Sequence, residues 1–378
     1  MTIAFCMEET LSYYLNENII PSGTDRQIAE KVLFGERITF QEGLHLYEKT
    51  ETGFLAVMAG YVRQKNNGAR VYYIRNAHLE PTNICIYDCQ FCSFSRKKEE
   101  VGSWNYSYDD VEKIISQMAE DITEIHITGG THPEASLAGY ELLIKQVRRL
   151  KPQIHIKAFS AAELFYVFRK AKINEAEGLQ ILIDAGLNSI PGGGAEIFDE
   201  AIRKKICPKK LSSAAWLNLH KAAHQKGIFS NATMLYGHQE HFSHRLRHME
   251  LLRNLQDETA GFNAFIPLKY KNKNNAMSYL PEVSLIEDLR NYAVSRIFLD
   301  NIPHLKAYWP MLGKNQAQLA LDFGVDDLDG TIDDTTEIYV AAGMKKSENA
   351  LTAEEIQQII TQAGFVPVER FSDYTAKK

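Results

Sequence analysis

Long apolar runs are missing from this sequence, and no stretch approaches the length of a membrane span. The start, MTIAFCMEETLSYYLNEN, has neither the basic flank nor the apolar run of a secretory signal, so a cytoplasmic protein is expected. No long basic run appears and the formal net charge is −6, which excludes the electrostatic footprint of a nucleic-acid binder and leaves a small molecule as the expected partner. Cysteine is scarce. The five present are an odd number, with Cys85, Cys89 and Cys92 clustered and Cys6 and Cys207 isolated, so a disulfide framework is ruled out. A phosphate loop with its lysine and a dinucleotide fingerprint are both absent, so ATP and NAD are not implied. No internal repeat or low-complexity tract stands out.

What is present is a chain of 378 residues, 45% hydrophobic and 24% charged, enough for a sizeable buried core. Residues 1 to about 70 predict a helical lead-in, with Thr39 and Glu42 forming a capping box. From Asn76, eight strand-like runs alternate with helical patterns: His78–Thr82, Glu124–Thr128, Ile154–Ser160, Asn188–Ile190, Ile228–Leu235, Phe262–Leu268, His304–Trp309 and Asp326–Thr331. Such alternation predicts an α/β fold with a parallel sheet, either a (βα)8 barrel or a doubly wound open sheet. Polar residues at every second strand position favour the barrel, because they point into a lumen. They are His78, Glu80 and Thr82; Glu124, His126 and Thr128; His155 and Lys157; His304, Lys306 and Tyr308. The expected division is a lead-in over 1–70, a barrel over 71–340, and a final helix and strand over 341–378, where Thr352 and Glu355 make another capping box.

The chemistry concentrates in PTNICIYDCQFCSFSRK, where Cys85, Cys89 and Cys92 follow the first strand run in a Cys-x3-Cys-x2-Cys spacing. Three thiolates on a four-iron cube leave one iron without a protein ligand, free to chelate a small molecule. A zinc knuckle would want a second cysteine pair, which is lacking. The loop resembles that of radical S-adenosylmethionine (SAM) enzymes. The resemblance implies a [4Fe-4S] cluster on Cys85, Cys89 and Cys92, with SAM on the open iron, cleaved by one electron to a 5′-deoxyadenosyl radical. It also implies a (βα)8 barrel of the TIM type. Phe91 then corresponds to the aromatic residue beside adenine, and Gly129, Gly130 and Thr131, in ITGGTHP, to the contact with the methionine part. Ser160 and Glu163 are candidates for the ribose or ammonium, and Glu196, in PGGGAE, is a comparable one.

A narrower resemblance is carried by PGGGAEIF, SNATMLYGH, QDETAGFNAFIPL, AVSRIFLDNIPHLKAYWPMLG and DDLDGT, at 191–198, 230–238, 256–268, 293–313 and 326–331. These blocks look like the aminofutalosine synthase family of the futalosine route to menaquinone; cyclic dehypoxanthine futalosine and deazaflavin FO enzymes share the cysteine loop. The resemblance implies that the radical adds to the enolpyruvyl double bond of 3-[(1-carboxyvinyl)oxy]benzoate, giving 6-amino-6-deoxyfutalosine and methionine with loss of a carboxylate. A flavodoxin or ferredoxin would supply the electron. For the dicarboxylate the candidate contacts are Asn231, His238, Lys306 and Tyr308, from strand-end position and inward alternation. Two other groupings carry no site: His238, His241, His244 and His248 lack a zinc-protease Glu, and the acidic run 325–337 misses two ligands of a calcium loop.

Overall fold

The computed structural model describes residues 6–17, 19, 23–332 and 336–377. The amino-terminal lead-in is helical as expected, and the Thr39 side chain and Glu42 form the predicted capping box ahead of the helix Phe40–Glu48. The helix Thr52–Asn67 packs against the helix Leu285–Phe298, joining the lead-in to the rest of the chain. Asp333, Asp334 and Thr335, in the acidic run, lie outside the described residues.

Strands among the described residues are β1 (Arg70–Ile74), β2 (Asn76–Leu79), β3 (Glu124–Ile127), β4 (His155–Ala158), β5 (Ser230–Tyr236), β6 (Phe262–Lys269), β7 (His304–Leu305), β8 (Asp327–Gly330) and β9 (Val366–Glu369). They form three parallel sheets in the orders β8-β1-β9, β2-β3-β4 and β5-β6-β7. Parallel bridges Lys157–Ser189, Ile190–Ser230 and Lys306–Asp327 run between neighbouring sheets. Helices separate most successive strands, giving the mixed α/β architecture that the alternation predicted. Ser107, Ser160 and Thr352 each start a helix through a capping box whose N3 carboxylate returns the hydrogen bond, satisfying amide groups that a helix end leaves open.

Three departures have local causes. β1 was not anticipated, because RVYYI is buried at every position after Arg70 and so shows no alternation. The run Asn188–Ile190 makes only single bridges. The run from His304 stops early: Pro310 sits in the first turn of the helix Trp309–Leu312, leaving His304–Leu305 as strand and Lys306 as a bridge. Ile125, Ile127, Ile156 and Leu305 are buried in the core, and the polar residues Glu124, Lys157 and Lys306 that alternate with them are buried too, held in ion pairs. Among the described residues, no helix is long and apolar enough to cross a membrane.

Candidate active site

The cysteine loop leaves β2 and is held in place by its own backbone. Cys85 N–H donates to the Arg96 carbonyl and Arg96 N–H to the Asn83 carbonyl, at 3.0 and 2.8 Å, folding the loop back on itself. Tyr87 Oη anchors it to the Ala162 carbonyl at 3.0 Å, and Gln90 N–H to the Ile206 carbonyl at 2.7 Å. The three thiols are partly exposed, whereas Cys207 is buried. Two carry backbone donors: Thr131 N–H lies 3.4 Å from Cys85 Sγ and Ser95 N–H 3.3 Å from Cys92 Sγ. In the bare loop, burial pushes the Cys89 thiol up to about 12, opposed by the nearby Lys210 ammonium. Gly130 serves this packing directly, because a Cβ there would stand 2.4 Å from the Ile84 carbonyl oxygen. Among the described residues, no three His, Cys, Asp or Glu side chains converge as a single metal ion requires. A cube-shaped cluster instead spreads its thiolates over three irons, and a loop of three partly buried thiols, two of them with N–H donors, fits that group.

Beside the loop lies a cavity of about 280 Å³. Phe91 and Cys92 form one wall, and Gly192, Glu196, Asn231, Lys306 and Tyr308 contribute to the rest. Leu235, Ile266, Leu268, Met311 and Ile338 make an apolar lining. Glu196 holds a left-handed backbone at φ 49°, which is uncommon for a side-chain-bearing residue. Its carboxylate is paired with Lys210 at 2.6 Å, and the Lys210 ammonium also lies 5.5 Å from the Phe91 ring centroid. Tyr308 Oη meets Tyr339 Oη, which in turn lies 3.3 Å from His78 Nδ1.

A family model described as the radical SAM superfamily matches residues 79–252, and one described as the CofH/MqnC C-terminal region matches residues 259–378. An aminodeoxyfutalosine synthase of Thermus thermophilus is 41% identical over 352 residues, covering 92% of this chain and 94% of that one. The chain belongs to the radical SAM superfamily. An aminodeoxyfutalosine synthase of Streptomyces coelicolor is 37% identical, covering 93% of this chain and 94% of its own. A cyclic dehypoxanthine futalosine synthase of the same organism is 34% identical, covering 92% and 87%. Among solved structures, methylornithine synthase superposes with a TM-score of 0.71 at 15% identity, covering 90% of this chain and 97% of that one, a likeness of fold. As a radical SAM enzyme, the protein carries a [4Fe-4S] cluster and uses SAM.

The site residues expected of this radical SAM enzyme are distributed unevenly. Phe91, Glu196, Asn231, Lys306 and Tyr308 share the cavity wall. Gly129, Gly130 and Glu163 instead border a separate cleft of about 360 Å³ that also touches Tyr106 and Tyr140. Ser160 and Glu163 face one another in a capping box, with Ser160 Oγ donating to Glu163 at 2.6 Å and Thr128 Oγ1 at 3.2 Å. Burial raises the Glu163 carboxyl to about 7, since hydroxyl and amide donors only partly offset lost hydration. His238 is not part of the cavity wall: its Nε2 donates to the Leu235 carbonyl at 3.0 Å and its Nδ1 lies 3.2 Å from Glu240, with the side chain fully buried. His248 is likewise interior, bonded to Phe198 N–H and the Thr233 carbonyl.

In and beside the cavity wall, buried charges are paired. Lys157 lies 2.5 Å from Glu124, Lys306 2.5 Å from Asp329, and Arg370 2.7 Å from Asp327, all nearly inaccessible to solvent. Alternation exposed Lys157 and Lys306 but gave no sign of Asp329 or Arg370 as their neighbours. Lys210 was also missed; its signal is the run RKKICPKK at 203–210, which reads as a solvated face until Lys210 is seen buried against Glu196.

Proposed function

We propose that this enzyme is an aminodeoxyfutalosine synthase. It joins the adenosyl group of SAM to the carbon skeleton of 3-[(1-carboxyvinyl)oxy]benzoate, giving 6-amino-6-deoxyfutalosine and methionine and releasing the enolpyruvyl carboxyl, in menaquinone biosynthesis. The observation that carries this reading is the 41% identity to a synthase of that name across nearly the whole of both chains. With SAM bound and one electron supplied, the cluster provides the 5′-deoxyadenosyl radical. The protein's own contribution is placement and exclusion of water, because the cofactor carries the hard chemistry.

The three sheets are read as arcs of one (βα)8 barrel, supported by the bridges between them and by the near-continuity of β1 into β2. SAM is assigned to the wall beside the cysteine loop. There Phe91 offers a ring face and Glu196 a carboxylate, while Thr131 and the pair Gly129 and Gly130 keep the loop close to β3. The Ser160–Glu163 capping box braces the next strand end. Asn231, Lys306 and Tyr308 are assigned to the dicarboxylate, Lys306 as the cation for one carboxylate. His238 is reassigned to bracing the turn after β5, through Leu235 and Glu240. An oxygen-sensitive cluster fed by a flavodoxin or ferredoxin suits the reducing cytoplasm.

The test is a choice of substrates. Anaerobic enzyme given reductant and SAM should consume 3-[(1-carboxyvinyl)oxy]benzoate and ignore dehypoxanthine futalosine. Turnover of the second compound alone would make the chain a cyclic dehypoxanthine futalosine synthase, the alternative that the 34% relative keeps in view.

A further inference from the structure

The final residues of the described chain do more than complete a sheet. After β9 pairs with β1, the chain folds back so that Arg370 bridges Ala376. Arg370 and Tyr374 then line a small polar void together with Glu124, Lys157, Asn231 and Lys306. Both tail residues act on one carboxylate. Arg370 Nε and Nη2 lie 2.8 and 2.7 Å from Asp327 Oδ2, and Tyr374 Oη donates to the same oxygen at 2.6 Å.

The other oxygen of that carboxylate points along β8. Asp327 Oδ1 accepts the Asp329 N–H at 2.5 Å, and Asp329 has a left-handed backbone, φ 67°, which a side-chain-bearing residue adopts only when its surroundings hold it there. So held, Asp329 places its carboxylate 2.5 Å from Lys306 Nζ. The Asp327 carbonyl also accepts the Ala307 N–H at 2.9 Å, fixing the backbone just after Lys306. Burial alone would discharge Asp329, but the ammonium of Lys306 and that of Lys157 beyond it hold its carboxyl below the usual range. The contacts are therefore continuous from the tail to a cation in the cavity wall, and Arg370, Asp327, Asp329 and Lys306 along the way are all buried.

We propose that the carboxyl-terminal tail positions the substrate-binding cation: Arg370 and Tyr374, acting through Asp327 and Asp329, set where the Lys306 ammonium stands. This rests on the reading that Lys306 meets a carboxylate of the second substrate. A lysine shared between Asp329 and an incoming carboxylate binds well only if Asp329 holds it toward the cavity. Loss of the Asp327 clamp frees Asp329 to leave its left-handed geometry and draw the ammonium with it. Arg370 and Tyr374 touch no substrate in this scheme, so they are positioning residues.

The experiment is a double-mutant cycle on the cluster-loaded, full-length enzyme, reading the Kd of 3-[(1-carboxyvinyl)oxy]benzoate, the Kd of SAM and the iron content. Lys306→Ala should weaken the dicarboxylate by about a hundredfold, Arg370→Ala by about tenfold and Tyr374→Phe by about threefold, with SAM affinity and iron retained. In the Lys306→Ala background, Arg370→Ala and Tyr374→Phe should have no further effect, because the group they position is gone. Methylguanidinium added to Arg370→Ala should restore part of the lost affinity, which a general loss of packing would not allow. If Arg370→Ala fails to fold, Tyr374→Phe in the two backgrounds decides the matter. Equal effects with and without Lys306, or no effect of Tyr374→Phe on dicarboxylate binding, overturn the positioning role alone. An unaltered Kd in Lys306→Ala overturns the assignment of Lys306 itself, and the positioning role with it.

Discussion

The cysteine loop, which follows β2, and the buried ion-pair cluster, drawn from β3, β4, β8 and the residues just after β7 and β9, handle polar groups in opposite ways. In the loop, Cys85, Cys89 and Cys92 are partly buried, Cys85 and Cys92 receive backbone N–H donors, and the backbone spends its carbonyls and amides on its own fold. In the ion-pair cluster, Lys157, Lys306 and Arg370 are each matched to a carboxylate and nearly inaccessible to solvent. The difference teaches that one region is built to be completed by a guest, whereas the other balances its own charges and offers the guest only Lys306, at the cavity wall. Two carboxyls express the same contrast. Glu163, with no cation beside it, is raised to about 7 by burial. For Glu124, burial pulls the same way but the Lys157 ammonium prevails and holds it well below the carboxylate range.

The largest effect should come from emptying the guest's ligands. Cys85→Ala, Cys89→Ala or Cys92→Ala should each abolish iron binding and SAM cleavage, because two thiolates do not retain the cube, while thermal stability of the iron-free chain changes little. A variant that keeps its iron and its SAM cleavage would break the contrast at its upper end. Next, Lys157→Ala should leave Glu124 buried and unpaired and cost about 3 to 5 kcal/mol of folding stability, read by denaturant unfolding. A loss of less than 1 kcal/mol, no more than an exposed pair is worth, would mean that the ion-pair cluster is wetter than its burial indicates.

A smaller effect follows from pH. The folded pKa of Glu163 lies above its ordinary value, so its contribution to stability is full below about 4.5 and is lost as pH rises through about 7. Glu163→Gln should therefore flatten the decline of Tm between pH 5 and 8, and an unaltered slope would remove Glu163 as its source. The smallest effect is expected from Cys207→Ala: this thiol is buried and lies outside the Cys-x3-Cys-x2-Cys spacing, and iron content should match the native enzyme.

Much of the cysteine region was legible in the sequence because its chemistry is local. Three cysteines and the aromatic before the last of them are neighbours in one short loop, and Phe91, Glu196, Asn231, Lys306 and Tyr308 do meet around one cavity. The ion-pair cluster was legible only by half. Period-two alternation marked Lys157 and Lys306 as inward, since side chains of a strand alternate whatever their partners. Their partners were hidden: Asp329 depends on a left-handed backbone, and Arg370 reaches Asp327 from 43 residues along the chain. His238 misled for a related reason. Strand-end position says that a side chain is near the mouth, but the Leu235 carbonyl three residues earlier holds it inside. β1 escaped because a strand buried on both faces carries no period.

The central claim is that the guest completing the cysteine region, SAM, gives up its adenosyl carbons to the second substrate. It is tested most directly by supplying the reduced enzyme with SAM labelled in the ribose carbons and with 3-[(1-carboxyvinyl)oxy]benzoate. The account predicts that the label appears in a product covalently joined to the benzoate skeleton, with methionine and the enolpyruvyl carboxyl released in equal amounts. Label recovered only as free 5′-deoxyadenosine, with the benzoate ether converted without it, would contradict the account.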